Sequence, residues 1–207
     1  MPKKYILTTE TKSHYGHTLH RIKALKSFGT VEKDALGGWI EKEDNLSHEG
    51  NCWVYGDARV YGNAPVSDNA LVYDNARVYG NALVSDNALV SDNALVFGNA
   101  LVSDNARVYG NALVYDNARV YDNALVFGNA QVSDNAQVSD NAQVSDNAQV
   151  YENARVSGKA KVSNKDKWIH IYGTSKLHGD VEVDFDITDL ELSTQAQVEI
   201  LKFANKV

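Results

Sequence analysis

The chain has 207 residues, of which 43% are hydrophobic and 9% aromatic, with a formal charge of −7, so it is not a wholly disordered chain. Two prolines and fourteen glycines exclude a collagen-like tract, the acidic balance argues against a nucleic-acid partner, and no apolar run reaches the roughly 20 residues of a membrane span. The opening residues carry lysines without an apolar stretch before a small-residue cleavage site, and one cysteine builds no disulfide framework, so the expected compartment is the cytoplasm.

Residues 1–44 read as an N-terminal β cap. Tyr5 to Thr9 and Thr18 to Leu25 are the expected strands, Tyr15-Gly16 the turn, and Leu36-Gly37-Gly38-Trp39-Ile40 the lead into the first coil. A solenoid end exposes unpaired edges and core, which is why terminal segments are atypical. His14, His17 and His20 have a spacing that invites a metal, but a strand sends His17 to the opposite face. No metal or cofactor is expected.

Residues 45–164 are the organising block. From Asn51 to Asn164 the chain runs in nineteen six-residue units without an insertion, such as Asn111-Ala112-Leu113-Val114-Tyr115-Asp116. The alanine and valine slots lie two apart and hardly change from Ala58 and Val60 to Ala160 and Val162, so both point to one side of a strand, toward the core. The residue between them and the one after valine point outward. The following Gly or Asp, then Asn, tolerates the left-handed backbone of a corner. Three hexads per coil then make a parallel β-solenoid, roughly 30 Å long for this block at about 4.8 Å per coil. One register earlier, Leu46 and Cys52 fall in the alanine slot, which makes Cys52 a core filler.

Residues 165–207 read as an irregular continuation and C-terminal cap. Lys165-Asp166-Lys167 interrupts the phase, Ile169 to Gly173 restores it, and Val181-Glu182-Val183 follows. Leu190-Glu191-Leu192 and Ala196-Gln197-Val198 are taken as two last degraded hexads, although Thr194 with Gln197 also spells a capping box.

The hexad Val-x-(Gly or Asp)-Asn-Ala-x resembles the repeat of the hexapeptide superfamily, which implies an all-β, left-handed parallel β-helix and includes many trimeric acyltransferases. More narrowly, Lys4-Tyr5-Ile6-Leu7, Gly37 to Ile40, Asn45 to Ser47 and Gly50 to Tyr55 resemble a YdcK-like group of bacterial and phage-associated proteins that carries an acetyltransferase label. The superfamily's enzymes use a histidine base near a projecting loop. Here no histidine lies between His48 and His170, and the central block has no projecting loop. No Ser-His-Asp set, phosphate loop or zinc spacing stands out, so no catalytic residue is assigned.

Two outward patterns remain. Taking every third hexad as one face stacks Asp68, Asp86, Asp104, Asp122 and Asp140 at one corner, a column open to solvent, to cations or to a phosphate-mimicking contact. Leu71, Leu83, Leu89, Leu95, Leu101, Leu113 and Leu125 fill the variable slot, joined by Phe97, Tyr115 and Phe127, and are expected to face solvent as an apolar belt that marks contact with something. The sequence therefore reads as a non-catalytic structural or interaction module that self-associates through this belt, as a dimer or trimer. Its alternatives are a hexapeptide acyltransferase, or a phage-type decoy that sequesters a host protein or small messenger, with an unidentified protein as partner.

Overall fold

The structure is a computed structural model and describes residues 3–204; the outermost positions of the two terminal divisions, 1–2 and 205–207, lie outside the described residues. Two-residue strands such as Leu95–Val96 and Leu113–Val114 pair in parallel with the strand eighteen residues on, as in Leu95↔Leu113 and Leu113↔Gln131. The chain is a parallel β-solenoid of three faces. We call the first face the one carrying Leu71↔Leu89 and Arg107↔Leu125, the second Arg77↔Leu95↔Leu113, and the third Leu83↔Leu101↔Arg119. The second face counts nine rungs, from Trp39 through Arg59 to Ile187, roughly 40 Å at about 4.8 Å per rung.

The hexad explains each part. From Ala58 and Val60 to Ala160 and Val162 every alanine and valine of the two inner slots is at most 1% exposed, and alanine sits where the corner leaves least room. The corner residues have positive φ, for example 57° at Asp68 and 58° at Asp104, a region that Asp and Asn enter at lower cost than bulkier side chains. Corner backbone is paired as well, since Asn69 N–H donates to the Asp86 carbonyl at 2.7 Å and Asn87 N–H to Asp104 at 2.7 Å. The next residue adds side-chain ladders, Asn51 to Asn69 to Asn87 to Asn105 to Asn123 at 3.1–3.3 Å. Satisfying amides this way is the device of stacked β structure.

The cap is a hairpin, β1 (Tyr5–His14) and β2 (His17–Ala24), followed by β3 (Leu36–Ile40). β1 pairs antiparallel with β2 and β2 with β3, while β3 pairs in parallel with Arg59–Val60 and so becomes the first rung. Gly37 is required at this junction, because a Cβ there would lie 2.6 Å from the side chains of Ile22 and Trp53. Gly50 combines φ of +61° with a virtual Cβ 2.0 Å from the Asp68 carbonyl oxygen.

Two expectations are corrected. The rung offset is 20 residues at Trp39↔Arg59 and at Leu46↔Val66 but 18 at Trp53↔Leu71, so two extra residues lie between Leu46 and Trp53, and Leu46, after a 3₁₀ turn at Glu43–Asn45, fills the valine slot, not the alanine slot. Asn45 takes the inner place, wholly buried, and its amide donates to the carbonyls of Gly62 and Ala64 at 3.1 and 3.0 Å. At the other end Leu190-Glu191-Leu192 does supply a strand, Glu191–Leu192, but Ala196-Gln197-Val198 lies in a helix, α1 (Gln195–Ala204). The architecture is thus nearly, not wholly, β. The interruption at Lys165 to Lys167 is absorbed as a bulge within Lys161–Tyr172, after which the rung offset grows from 18 to 21. Among the described residues no helix is long and apolar enough to cross a membrane.

Candidate interaction faces

The outward Leu and aromatic residues are distributed by the threefold winding. Leu71, Leu89, Leu125 and Phe127 stand on the first face, Leu95, Phe97, Leu113 and Tyr115 on the second, Leu83 and Leu101 on the third. None is fully solvent-facing; all ten are half-buried, because each is flanked above and below by residues of the neighbouring rungs. The belt is therefore three strips, and only the second face carries Leu and an aromatic ring together on consecutive rungs.

That face holds an aromatic ladder. Tyr61, Tyr79, Phe97 and Tyr115 stack in sequence with centroids 5.0 Å apart and planes within 4° of parallel. Offset stacking at this distance is the favourable arrangement for π systems. Shorter stacks on the first face join Tyr55 to Tyr73 at 4.3 Å and Tyr109 to Phe127 at 5.0 Å. Reading only the leucine slots misses Tyr61, Tyr79 and Tyr109; aromatics recurring at eighteen-residue spacing are the signal that finds them. The cap covers the start of the ladder, where Leu19 and Trp39 pack on Tyr61 and His14 and His17 lie 5.4 and 5.0 Å from its ring. Burial first, then the neighbouring Tyr79, pushes the Tyr61 hydroxyl up to about 12.

The acidic column is assembled as one corner. Its carboxylates are used by the fold: Asp68 Oδ2 accepts the Asp86 N–H at 3.4 Å, Asp86 that of Asp104 at 3.4 Å, and so on to Asp140, which accepts the Gly158 N–H at 2.9 Å. Ser67 and Ser85 donate to the same oxygens of Asp68 and Asp86 at 2.7 and 3.0 Å. Like charges one rung apart are tolerated because each carboxylate caps a backbone donor and faces water.

The remaining chemistry gathers at the ends. Cys52 is fully buried, and its thiol is pushed up by burial, against the opposing pull of Lys4; a buried thiol of that kind is a weak nucleophile. Lys4, 1% exposed, donates to the carbonyls of Glu49, Gly50 and Cys52 at 3.1, 3.3 and 3.0 Å and lies 3.2 Å from the Cys52 sulfur. No sequence pattern marks Lys4 as buried. His17 Nδ1 is 2.8 Å from Glu41 Oε1, whose other oxygen accepts the Gly62 N–H at 2.7 Å. His14 and His20 are separately engaged, with Tyr61 and with the Thr8 carbonyl, and the described residues hold no group of three or more His, Cys, Asp or Glu arranged for a metal.

The family model described as YdcK Beta solenoid repeat matches residues 76–92, 100–116, 106–121, 118–134, 130–146, 136–152, 142–158 and 148–164. The repeat of the central coils is thus similar to the YdcK-type repeat, in keeping with the hexapeptide and YdcK-like resemblance. A stretch of 37 residues is 46% identical to the protein named "Uncharacterized acetyltransferase YdcK" of Escherichia coli (strain K12), covering 18% of this chain and 11% of that protein.

Proposed function

We propose that this β-solenoid repeat protein is a rigid, non-catalytic structural or interaction module of the cytoplasm that self-associates, as a dimer or trimer, through its second face. The observation that carries the reading is the coincidence of Leu95 with Phe97 and of Leu113 with Tyr115 on adjacent rungs. Neither slot is needed by the core, which is closed by alanine and valine, and an apolar strip on a rigid support is the usual form of a contact surface. Further along, Gln131 and Gln149 replace leucine, so the strip is bounded.

The test is solution mass by light scattering for the native chain and for Leu95→Arg combined with Leu113→Arg. A defined native oligomer and a folded monomeric variant are expected. Monomers in both cases overturn the interface.

The printed name of the relative gives acyl transfer as the second reading. It requires a base, and the described histidines lie toward the two ends, His14, His17 and His20 in the cap with His48 just after it, and His170 and His178 beyond the regular coils. Acetyl transfer by the native chain that is lost on replacing one of these histidines establishes it against the first.

A further inference from the structure

We propose that the second face contains a binding site for a planar heteroaromatic ring bearing an amino group or a positive charge, built where its aromatic ladder omits one rung. The outward slot after valine reads, rung by rung, Tyr61, Tyr79, Phe97, Tyr115, Ser133, Tyr151, Tyr172. Each adjacent aromatic pair is stacked, the last at 5.2 Å with planes 3° apart. Ser133 is the missing tooth. The strands beneath do not deviate: Leu113, Gln131 and Gln149 stay in register, Tyr115 N–H reaches the Val132 carbonyl at 3.0 Å and Ser133 N–H that of Val150 at 3.0 Å. Tyr115 and Tyr151 are therefore held two rungs apart, about 10 Å at the usual strand spacing, with room for one ring between them.

A cleft of about 210 Å³ occupies that place, lined by Tyr115, Gln131, Ser133, Asp134, Gln149 and Tyr151. A ring seated there lies about 5 Å from the centroid of each wall, in the offset-stacked range, and repeats the contact that the ladder makes elsewhere. The walls are already ordered, since Phe97 backs Tyr115 and Tyr172 backs Tyr151, so binding carries little ordering cost. The edge chemistry selects the ligand. At the corner end Asp134 Oδ2 accepts the Glu152 N–H at 3.1 Å and the Ser133 hydroxyl at 3.4 Å, placing a carboxylate at the rim, while Gln131 and Gln149 contribute amides. N–H donors or a positive charge suit this rim, and an anion does not. A like interruption on the first face, Ser91 between Tyr73 and Tyr109, has the equivalent carboxylate in Asp92, whose Oδ2 accepts the Gly110 N–H at 2.9 Å, but Leu89 and the cationic Arg107 stand where two glutamine amides flank Ser133, so its rim opposes a positive charge.

The probe is 4-aminoquinoline, followed by calorimetry and saturation-transfer NMR, with quinoline-4-carboxylate as the anionic counterpart. The expected dissociation constant is roughly 0.1–1 mM, with the carboxylate at least about tenfold weaker. Ser133→Tyr completes the ladder and abolishes binding while the circular dichroism is retained; Ser91→Tyr leaves binding unchanged. If Ser133→Tyr does not fold, Tyr151→Ser removes one wall and is expected to weaken binding about tenfold. No saturable binding of 4-aminoquinoline by the native chain, or equal binding by Ser133→Tyr or Tyr151→Ser, overturns the proposal. The site does not rest on self-association: Leu95→Gln with Leu113→Gln, which removes the apolar strip without bringing a charge to the rung beside the cleft, is expected to keep it, and loss of binding in that variant as a folded monomer overturns a site contained in one chain.

Discussion

The two ends of the solenoid face one problem, an exposed core and unpaired strand edges, and meet it differently. At the N-terminal end large side chains enter the core itself: Lys4, Tyr5 and Trp53 are all at most 1% exposed. Each polar tip among the first two is matched, Lys4 by three carbonyls and the Tyr5 hydroxyl by those of Leu46 and Glu43 at 2.7 and 3.0 Å. At the C-terminal end α1 contributes one fully buried side chain, Val198, and leaves Ile200 and Phe203 69% and 73% exposed. Its ties are polar and superficial, Lys202 to Asp184 at 2.7 Å and the Glu182 N–H to Gln195 at 2.9 Å. One end is continuous with the core; the other lies over it as a lid. Opening should therefore begin at α1, while loss of the cap should cost the adjoining coils as well.

The sharpest way to break this comparison is Trp53→Ala. Trp53 is fully buried between Phe28, at 5.3 Å, and Tyr5, at 6.1 Å, so its removal empties the junction of cap and first coil. A loss of about 3–5 kcal/mol is expected, read as a lower urea midpoint by far-ultraviolet circular dichroism. A loss below about 1 kcal/mol means that the cap is as peripheral as the lid.

A smaller effect distinguishes the ends by pH. His48 stacks on Tyr5 at 4.4 Å and His14 lies against Tyr61; burial lowers both imidazoles, which Glu43 only partly offsets at His48. In the unfolded chain each takes up its proton near pH 6.5. The folded cap binds fewer protons below that point, so its stability is complete above about pH 6.5 and declines as the pH falls through and below it. Between pH 7 and 5 the buried Trp39 and Trp53 should report earlier urea-induced loosening of the cap, and His48→Gln should flatten the slope. An unchanged slope in that variant removes His48 from the account.

Such differences bear on what the sequence makes legible. Ala and Val two apart predict the inner face because a strand has period two, and Asp or Gly with Asn predicts the corner because only such residues accept its backbone cheaply; both are local rules, repeated. Asn45 in place of Leu46 is not local, since the two-residue shift appears only once β3 has docked on Arg59–Val60. Burial of Lys4 depends on three carbonyls more than forty residues away. The leucines are outward as read, but half-buried, because a rung flanked on both sides shields any long side chain between them. The gap at Ser133 is visible in sequence only when the slots are compared eighteen residues apart, the period of the coil, not of the hexad.

At the C-terminal lid, Ala196-Gln197-Val198 satisfies an alternating pattern and a helical one alike, and the capping box settles the matter. Gln197 Oε1 accepts the N–H groups of Ser193 and Thr194 at 2.8 and 3.0 Å, and Thr194 Oγ1 accepts the Gln197 N–H at 3.4 Å. Donors that a strand would leave to a next rung are thereby satisfied where no regular rung follows. Gln197→Ala removes this and should cost about 1 kcal/mol. Because α1 reaches the core only through Val198 and the half-buried Leu201, the cost should stay local. Amide exchange within 195–204 should accelerate by about fivefold, with the urea midpoint of the coils unchanged. A matching fall in that midpoint shows instead that the lid and coils unfold as one unit, and that the two ends differ in composition but not in cooperativity.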